Sequence, residues 1–285
     1  MTEQAPRLGM AAGNLMAGKR GLIMGVANNR SIAWGIAKAV AAQGAEVALT
    51  YQGDALKKRV EPLAAELGSK LVLHCDVSEP SSIDALFDEI GRAWGKLDFL
   101  VHAIAFSDKN ELDGRYVDTT EKNFTQTMLI SCYSLTALAR RAEKLMSAGG
   151  SILTLTYYGA EKVMPHYNVM GVAKAALEAS VRYLASDLGP DGIRVNALSA
   201  GPMRTLAGAG IADARLMFNH QRAHAPLRRT VSLEDVGGSA LYLLSPLSGG
   251  VTGEVHFVDA GYNIISMPRP DVLQAQDEAG VVGDA

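Results

Sequence analysis

Two kinds of side chain that can hold or donate a proton stand close together in the segment 155–174, LTYYGAEKVMPHYNVMGVAK. Tyr167 and Lys174 are seven residues apart, two helical turns, so a helix would place them on nearly the same face. Tyr157 lies ten residues before Tyr167. A phenol can donate a hydrogen bond to developing negative charge, and an ammonium favours such charge nearby. Taken singly, tyrosines usually pack and lysines are usually solvated, so the role of these residues depends on the fold around them.

Short β-rich runs alternate with helical periodicity along the rest of the chain. This alternation predicts an α/β fold, a single-domain doubly wound (Rossmann) sheet of seven parallel strands with helices on both faces. The predicted strands are 20–26, 45–51, 70–77, 97–106, 151–157, 192–200 and 253–261. We expect a flexible N-terminal segment at 1–18, one domain at 19–265 with a lid at about 203–222, and a C-terminal tail at 266–285. A long helical region is expected at about 121–147, another helix at about 166–188, and one or two short helices within 203–229.

Composition excludes several classes of protein. The 285 residues are 48% apolar and 20% charged, with a formal net charge of −3, which argues against a nucleic-acid partner. The sequence shows neither a signal peptide nor a run long enough to span a bilayer, so we expect a cytoplasmic protein without a membrane partner. Cys75 and Cys132 lack metal-ligand spacing and are predicted to be core residues. His220 and His224 share a helical face without a third ligand, so no metal site is expected.

The first predicted strand leads into a loop where a doubly wound fold binds phosphate. This loop runs from Gly25 to Ser31 and Ile32, and it is too long for the GxGxxG fingerprint. Ser31 is placed to begin the following helix, where backbone amides would face a pyrophosphate. An ordinary turn with a serine cap is the alternative. The loop predicts a dinucleotide cofactor.

The ends of the next strands outline the rest of a cofactor crevice. Gln52 stands where an acidic residue would hold an adenosine ribose, and no arginine follows at once, so the sequence leans weakly toward NAD. Strand three ends in Asp76 and Val77, and strand four runs through Ala103 and Ile104. Small residues at such strand ends let a flat ring or a phosphate approach the backbone, although tight helix–sheet packing would need them equally.

The order of several motifs carries a resemblance to a known family. These motifs are GVANNRSIAWGIA, CDV, LDFLVHAIAF, YNVMGVAK, GIRVNALSAGPMRTLA and GEVHFVDAG, and they span about residues 17–265. The chain resembles the short-chain dehydrogenase/reductase superfamily, and most closely its divergent branch, the bacterial enoyl-acyl-carrier-protein reductases of fatty-acid synthesis. Most of the superfamily places the catalytic tyrosine four residues before the lysine, where this chain has Met170.

The resemblance implies an oxidoreductase that reduces a trans-2-enoyl thioester by hydride transfer to its β-carbon. NADH is the expected reductant, ahead of NADPH. Tyr167 would then donate a hydrogen bond to the enolate oxygen, and Lys174 would bind the nicotinamide ribose. The spacing has a chemical rationale, because charge develops on the thioester oxygen, three bonds from the carbon that accepts hydride. A tyrosine moved one helical turn, about 5 Å, suits that displacement. Tyr157 would line the acyl pocket and assist orientation or protonation.

Further site residues follow from the same resemblance and from their places at the strand ends. The expected cofactor-binding residues are Gly25, Ser31, Ile32, Gln52, Asp76, Val77, Ala103, Ile104, Lys174, Ala200 and Thr205. The expected substrate-binding residues are Ala105, Phe106, Tyr157, Met170, Leu206, Ile211 and Phe218. An acyl carrier protein is the expected partner, although the lid helix offers only Arg215 as a basic contact, and a homotetramer is expected.

Two alternatives stay open at this stage. One is a carbonyl or hydroxysteroid-type reductase of the same superfamily, against which the absence of a tyrosine four residues before Lys174 argues. The other is a cofactor-binding module without catalysis, which would be free to lose either Tyr167 or Lys174, yet the chain has both.

Overall fold

A computed structural model describes residues 11–203, 205 and 214–267. Its centre is one parallel sheet of seven strands in the order β3-β2-β1-β4-β5-β6-β7. The strands are β1 (Arg20–Met24), β2 (Glu46–Tyr51), β3 (Leu71–His74), β4 (Phe99–His102), β5 (Gly150–Thr156), β6 (Ile193–Ala200) and β7 (Val255–Val258). The predicted fold class is therefore confirmed.

Helices cover both faces of the sheet. They are α1 (Ile32–Ala41), α2 (Gly53–Glu66), α3 (Pro80–Trp94), α4 (Glu121–Met128), α5 (Ser134–Ala142), α6 (Asn168–Leu188), α7 (Ala214–His224) and α8 (Leu233–Leu244). One hydrophobic core lies under α1, α2 and α8, and a second lies under α3, α5 and α6. In β1, Ile23 enters the first core while Leu22 and Met24 enter the second, as the two-residue period of a strand requires.

The strand order creates a crevice at one place on the sheet edge. The chain builds β1, β2 and β3 outward, then returns to place β4 on the other side of β1. The helices that follow β1 and β4 consequently lie on opposite faces, and the carboxyl ends of these two strands border an opening. Ligands of doubly wound folds bind at this switch point, so a ligand is expected between the loops after β1 and β4.

Several boundaries differ from the prediction. The region expected as one helical stretch at 121–147 consists of α4, a π-helical turn at Leu129–Tyr133, and α5. The expected helix at 166–188 begins only at Asn168, so Tyr167 stands at its N-cap. Part of the expected flexible N-terminal segment packs on the domain, because Met16 is buried in the first core. None of the described helices is long and apolar enough to cross a membrane.

Candidate active site

The structure brings Tyr157 and Tyr167 together at the crevice. Tyr157 follows the last residue of β5, and Tyr167 stands just before α6. Their rings meet edge to face with centroids 5.1 Å apart. A side chain at Gly159 would collide with the Tyr167 ring, so this glycine leaves the space that the ring occupies. The two phenol rings therefore pack against each other as a pair.

Both hydroxyl groups remain available as donors. Tyr167 is only 8% exposed, yet its hydroxyl makes no hydrogen bond to any residue in the described part of the chain, and the same holds for Tyr157. Burial raises the pKa of both phenols above their ordinary value. They stay protonated at neutral pH, as a hydrogen-bond donor must.

Lys174 lies two turns into α6 and is buried, at 6% exposure. Its Nζ donates to the carbonyl oxygen of Leu155 at 2.7 Å, which leaves two N–H donors for a ligand. Burial lowers the pKa of Lys174 to about 8, an effect that Cys132 and Glu178 partly oppose. This hydrogen bond and the burial of the side chain fix the position of the Lys174 ammonium group.

Glu178 is a buried carboxyl group that the sequence reasoning missed. It follows Lys174 by one helical turn, and its Oε1 accepts a hydrogen bond from Thr156 Oγ1 at 2.6 Å. Burial raises the pKa of this carboxyl, and the Lys174 charge acts in the opposite direction. The four-residue spacing could have indicated that Glu178 lies on the same helix face as Lys174.

His102 is a second buried polar group that was missed. Its Nδ1 and Nε2 each lie 2.8 Å from a hydroxyl, of Thr154 and Ser134 respectively. Burial, together with the Lys174 charge, lowers the pKa of His102 to about 3. The imidazole is therefore neutral, donating through one nitrogen and accepting through the other, and it ties β4 to β5 and α5 behind the site.

The floor of the crevice is made where the loops after β1 and β4 touch. Gly25 has φ +97°, and a Cβ there would collide with the Ala103 carbonyl oxygen. Ala103 and Ile104 are half-buried beside it, and each packs against one of the two cores. Only glycine fits at position 25, which leaves backbone exposed where a phosphate or a flat ring would approach.

Ser31 occupies the N-cap position of α1, as predicted, but its hydroxyl does not cap the helix. It accepts instead from the amides of Ala27 and Asn28, at 3.0 and 3.1 Å, and so holds the loop in a tight turn. The first amides of α1, beginning at Ile32, are thus left uncapped by this side chain. An uncapped helix N-terminus at this position suits an anionic group.

Gln52 and Asp76 meet at the ends of β2 and β3. Gln52 Nε2 donates to Asp76 Oδ2 at 2.7 Å, and Asp76 Oδ1 accepts from the backbone and hydroxyl of Ser78. The nearby Lys57 of α2 lies over the Tyr51 ring and pairs with Glu61 of the same helix. This polar pair is uncharged on the glutamine side, which suits ribose hydroxyls better than an additional phosphate.

The remaining predicted cofactor residues lie along the same edge. Val77 follows Asp76 and packs against the second core, and Ala200 ends β6 in a buried position. The amide of Thr205 donates to the Met203 carbonyl oxygen at 2.8 Å. The predicted cofactor residues therefore lie at the carboxyl ends of β1, β2, β3, β4 and β6.

The predicted substrate residues other than Tyr157 lie in several parts of the structure. Ala105 and Phe106 are exposed after β4, whereas Met170 is buried in the first turn of α6. Phe218 lines a cavity of about 360 Å³ with Met203, between α7 and the loop before α1. Leu206 and Ile211 lie outside the described residues, as does part of the expected lid.

The cysteine and histidine predictions can be compared with the structure. Cys75 and Cys132 are both buried free thiols, as expected, and burial raises the pKa of Cys75 to about 12. The rings of His220 and His224 stack with centroids 3.9 Å apart on α7. Within the described ranges no cluster of histidine, cysteine and carboxylate side chains could hold a metal ion.

Comparison with known proteins connects this geometry to a family. The family model described as "Enoyl-(Acyl carrier protein) reductase" matches residues 25–263. The enoyl-[acyl-carrier-protein] reductase [NADH] 2 of Rhizobium meliloti is 68% identical over 263 residues, covering 92% of this chain and 98% of that protein. The corresponding NADH enzyme of Rickettsia conorii is 60% identical, with 90% and 98% covered.

Solved structures agree with the sequence comparison. The enoyl-(acyl-carrier-protein) reductase of Anaplasma phagocytophilum, crystallised in complex with NAD, superposes with a TM-score of 0.89 at 62% identity. That match covers 91% of this chain and 99% of that one. The family inferred from the motifs is confirmed: the chain belongs to the enoyl-(acyl carrier protein) reductases.

Proposed function

We propose that the chain reduces the trans-2 double bond of an enoyl thioester carried by an acyl carrier protein, with NADH as reductant, in fatty-acid synthesis. The observation that carries this assignment is the pair of protonated phenols with unbonded hydroxyls, Tyr157 and Tyr167, beside the buried Lys174. This arrangement can stabilise an oxyanion at a distance from the lysine. Met170 occupies the position where a carbonyl reductase would have its tyrosine, and it is buried.

When bound, NADH would supply the hydride that the β-carbon of the substrate accepts. Tyr167 donates a hydrogen bond to the thioester oxygen, on which negative charge develops. Such a donor has its largest effect in a site from which water is excluded. Tyr157 packs against the Tyr167 ring and orients it. The Tyr157 hydroxyl would donate a hydrogen bond to the same thioester oxygen, or would protonate the α-carbon in the last step.

Lys174 acts from the cofactor side of the same site. With one N–H on the Leu155 carbonyl, Lys174 has two donors left that would bind the ribose hydroxyls of NADH. Its positive charge also favours negative charge on the nearby thioester oxygen. Gln52 and Asp76 would bind the adenosine ribose, and the turn at Gly25 with the start of α1 would hold the pyrophosphate.

A direct assay tests this function. Loss of NADH absorbance is followed with crotonyl thioester, with NADPH in place of NADH, and with a ketone as control. We expect turnover that requires the enoyl thioester and prefers NADH. Turnover of the ketone alone would assign the chain to the carbonyl reductases. Tight NADH binding without any turnover would indicate a binding module.

The lysine also predicts a pH dependence. Because burial lowers the pKa of Lys174 to about 8, the ammonium is lost as pH rises through that value. The catalytic efficiency kcat/KM for NADH reports the free enzyme, so it should fall about tenfold per pH unit above pH ~8. The phenols have raised pKa values and do not titrate in this window. A flat profile from pH 7 to pH ~9.5 would contradict the role of Lys174.

The carrier protein and the assembly state extend the proposal. Arg229 is paired with Asp235, so Arg215 and Arg222, exposed on α7, are the cations we propose for an acidic carrier protein. We propose that the chain works in the cytoplasm, and we propose a homotetramer because α4 to α6 expose several large apolar side chains. These are Phe124, Leu129, Tyr133, Val172 and Tyr183. A solution mass four times the chain mass of 30.1 kDa would support it.

We also propose one core reductase domain over 19–265, in which 203–222 closes over the acyl chain. Residues 1–18 and 266–285 would be terminal segments.

A further inference from the structure

The backbone on both sides of Tyr167 has an uncommon conformation. His166 has φ +56° and Asn168 has φ +35°, whereas Tyr167 between them has φ −109°. Residues other than glycine enter the left-handed region at a cost, and they remain there only where the surroundings hold them. Something in the structure must therefore stabilise this segment.

One loop supplies stabilising contacts to both His166 and Asn168. Asn168 Nδ2 donates to the carbonyl oxygens of Glu111 and Gly114, at 3.3 Å each. His166 Nδ1 lies 2.9 Å from Asp113 Oδ1, and because a carboxylate only accepts, the imidazole donates from Nδ1. The segment 111–114 thus contacts the residues immediately before and after Tyr167. We name it the bracing loop.

The bracing loop is itself fixed to α4. The carboxylate of Glu111 accepts from the amide and the hydroxyl of Thr120, at 2.9 and 2.8 Å. Thr120 caps α4 by accepting from the amide of Asn123, whose Oδ1 in turn accepts from the amide of Asp108. The first turn of α4 therefore holds the loop at its first residue, Glu111, and holds the preceding chain at Asp108, so the loop can act as a support.

We propose that Asn168, aided by the Asp113–His166 contact, is a positioning residue that sets the direction of the Tyr167 hydroxyl. The inference rests on the proposed function and deepens it. Two backbone torsions held in the left-handed region determine where the Tyr167 Cα–Cβ bond points, and the bracing loop holds both. Releasing them would let the phenol rotate away from the developing oxyanion, and a misplacement of about 1 Å costs as much as 10²-fold in rate.

The test uses Asn168→Asp. Aspartate has the same size and tolerates the left-handed region as asparagine does, but its carboxylate cannot donate to two carbonyl oxygens. We expect kcat for the enoyl thioester to fall about tenfold or more, with KM for NADH and the melting temperature nearly unchanged. Asn110→Asp is the matched control, since it adds the same charge to an exposed position of the neighbouring turn. It should behave as wild type.

A double-mutant cycle decides whether Asn168 acts through Tyr167. In a Tyr167→Phe background, Asn168→Asp should have little further effect, because the group that it positions is gone. An equal fractional loss in both backgrounds would overturn the proposal, as would a kcat within twofold of wild type. If Asn168→Asp does not fold, Asp113→Ala replaces it, because the Asp113 side chain is 68% exposed.

Hydrogen exchange separates this inference from the proposed function. Amides of 164–168 and of the bracing loop should exchange faster in Asn168→Asp than in Asn110→Asp. Hydrogen exchange does not depend on turnover. It therefore tests the contact between Asn168 and the bracing loop even if the wild-type chain reduces no enoyl thioester. Unchanged exchange would overturn the proposal on structural grounds.

Discussion

Replacing Tyr167 with phenylalanine should lower kcat for the enoyl thioester by about 10²- to 10³-fold, the loss seen when one oxyanion donor is removed from a closed site. The substitution deletes one hydroxyl and keeps the ring that packs edge to face on Tyr157. Steady-state kinetics with crotonyl thioester and NADH measure the change.

The structure explains why stability should be spared. The Tyr167 hydroxyl bonds to no residue in the described ranges, so its removal leaves no protein donor or acceptor unpaired. Loss of a hydroxyl that faces the crevice also opens no cavity behind the ring. The melting temperature and the dissociation constant of NADH should therefore stay close to those of the wild type, and the kinetic loss can be assigned to the transition state.

Tyr242→Phe is the matched control, because it deletes the same hydroxyl from α8, where Tyr242 is 37% exposed and belongs to neither the site nor the proposed tetramer interface. Its kcat should equal that of wild type. A Tyr167→Phe enzyme that keeps more than a third of the wild-type kcat would remove Tyr167 from the donor role. A large loss in Tyr157→Phe beside it would then transfer that role to Tyr157.

The fold was predictable because its signals are local. Each strand is a short apolar run whose alternate residues enter the two cores, as β1 shows with Ile23 and Leu22. Such runs, separated by helical periodicity, leave few topologies other than a doubly wound sheet. Helix ends were less predictable, since the π-helical turn at Leu129–Tyr133 has no local breaker such as proline within it.

The site was predictable only in part, because several of its interactions join residues distant in sequence. Tyr167, Lys174 and Gly25 could be named from spacing and motif. The hydroxyl of Ser31 turns back to its own loop rather than capping α1, a choice that the residue type alone does not determine. The support of Asn168 by carbonyl oxygens more than fifty residues earlier could not be read from the sequence at all.

Replacing Lys174 with methionine should weaken NADH binding by about 10²- to 10⁴-fold and lower kcat/KM by at least as much. Two charge-assisted hydrogen bonds to the ribose are lost, and each is worth about 1.5–3 kcal/mol. Fluorescence titration of NADH gives the affinity, and steady-state kinetics give kcat/KM. The decline of activity above pH ~8 should vanish in this variant, because the group that titrates is gone.

Stability should respond in the opposite way, and this contrast distinguishes a functional lysine from a structural one. Burial of the ammonium is unfavourable, as its lowered pKa shows, and methionine fills the same space without a charge. The Leu155 carbonyl loses a donor, which offsets part of that gain. The melting temperature should therefore be unchanged or slightly raised, while exposed Lys162→Met, the control, changes neither property. A Lys174→Met chain that melts several degrees lower but binds NADH normally would show that Lys174 fastens α6 to β5 and does not bind the cofactor.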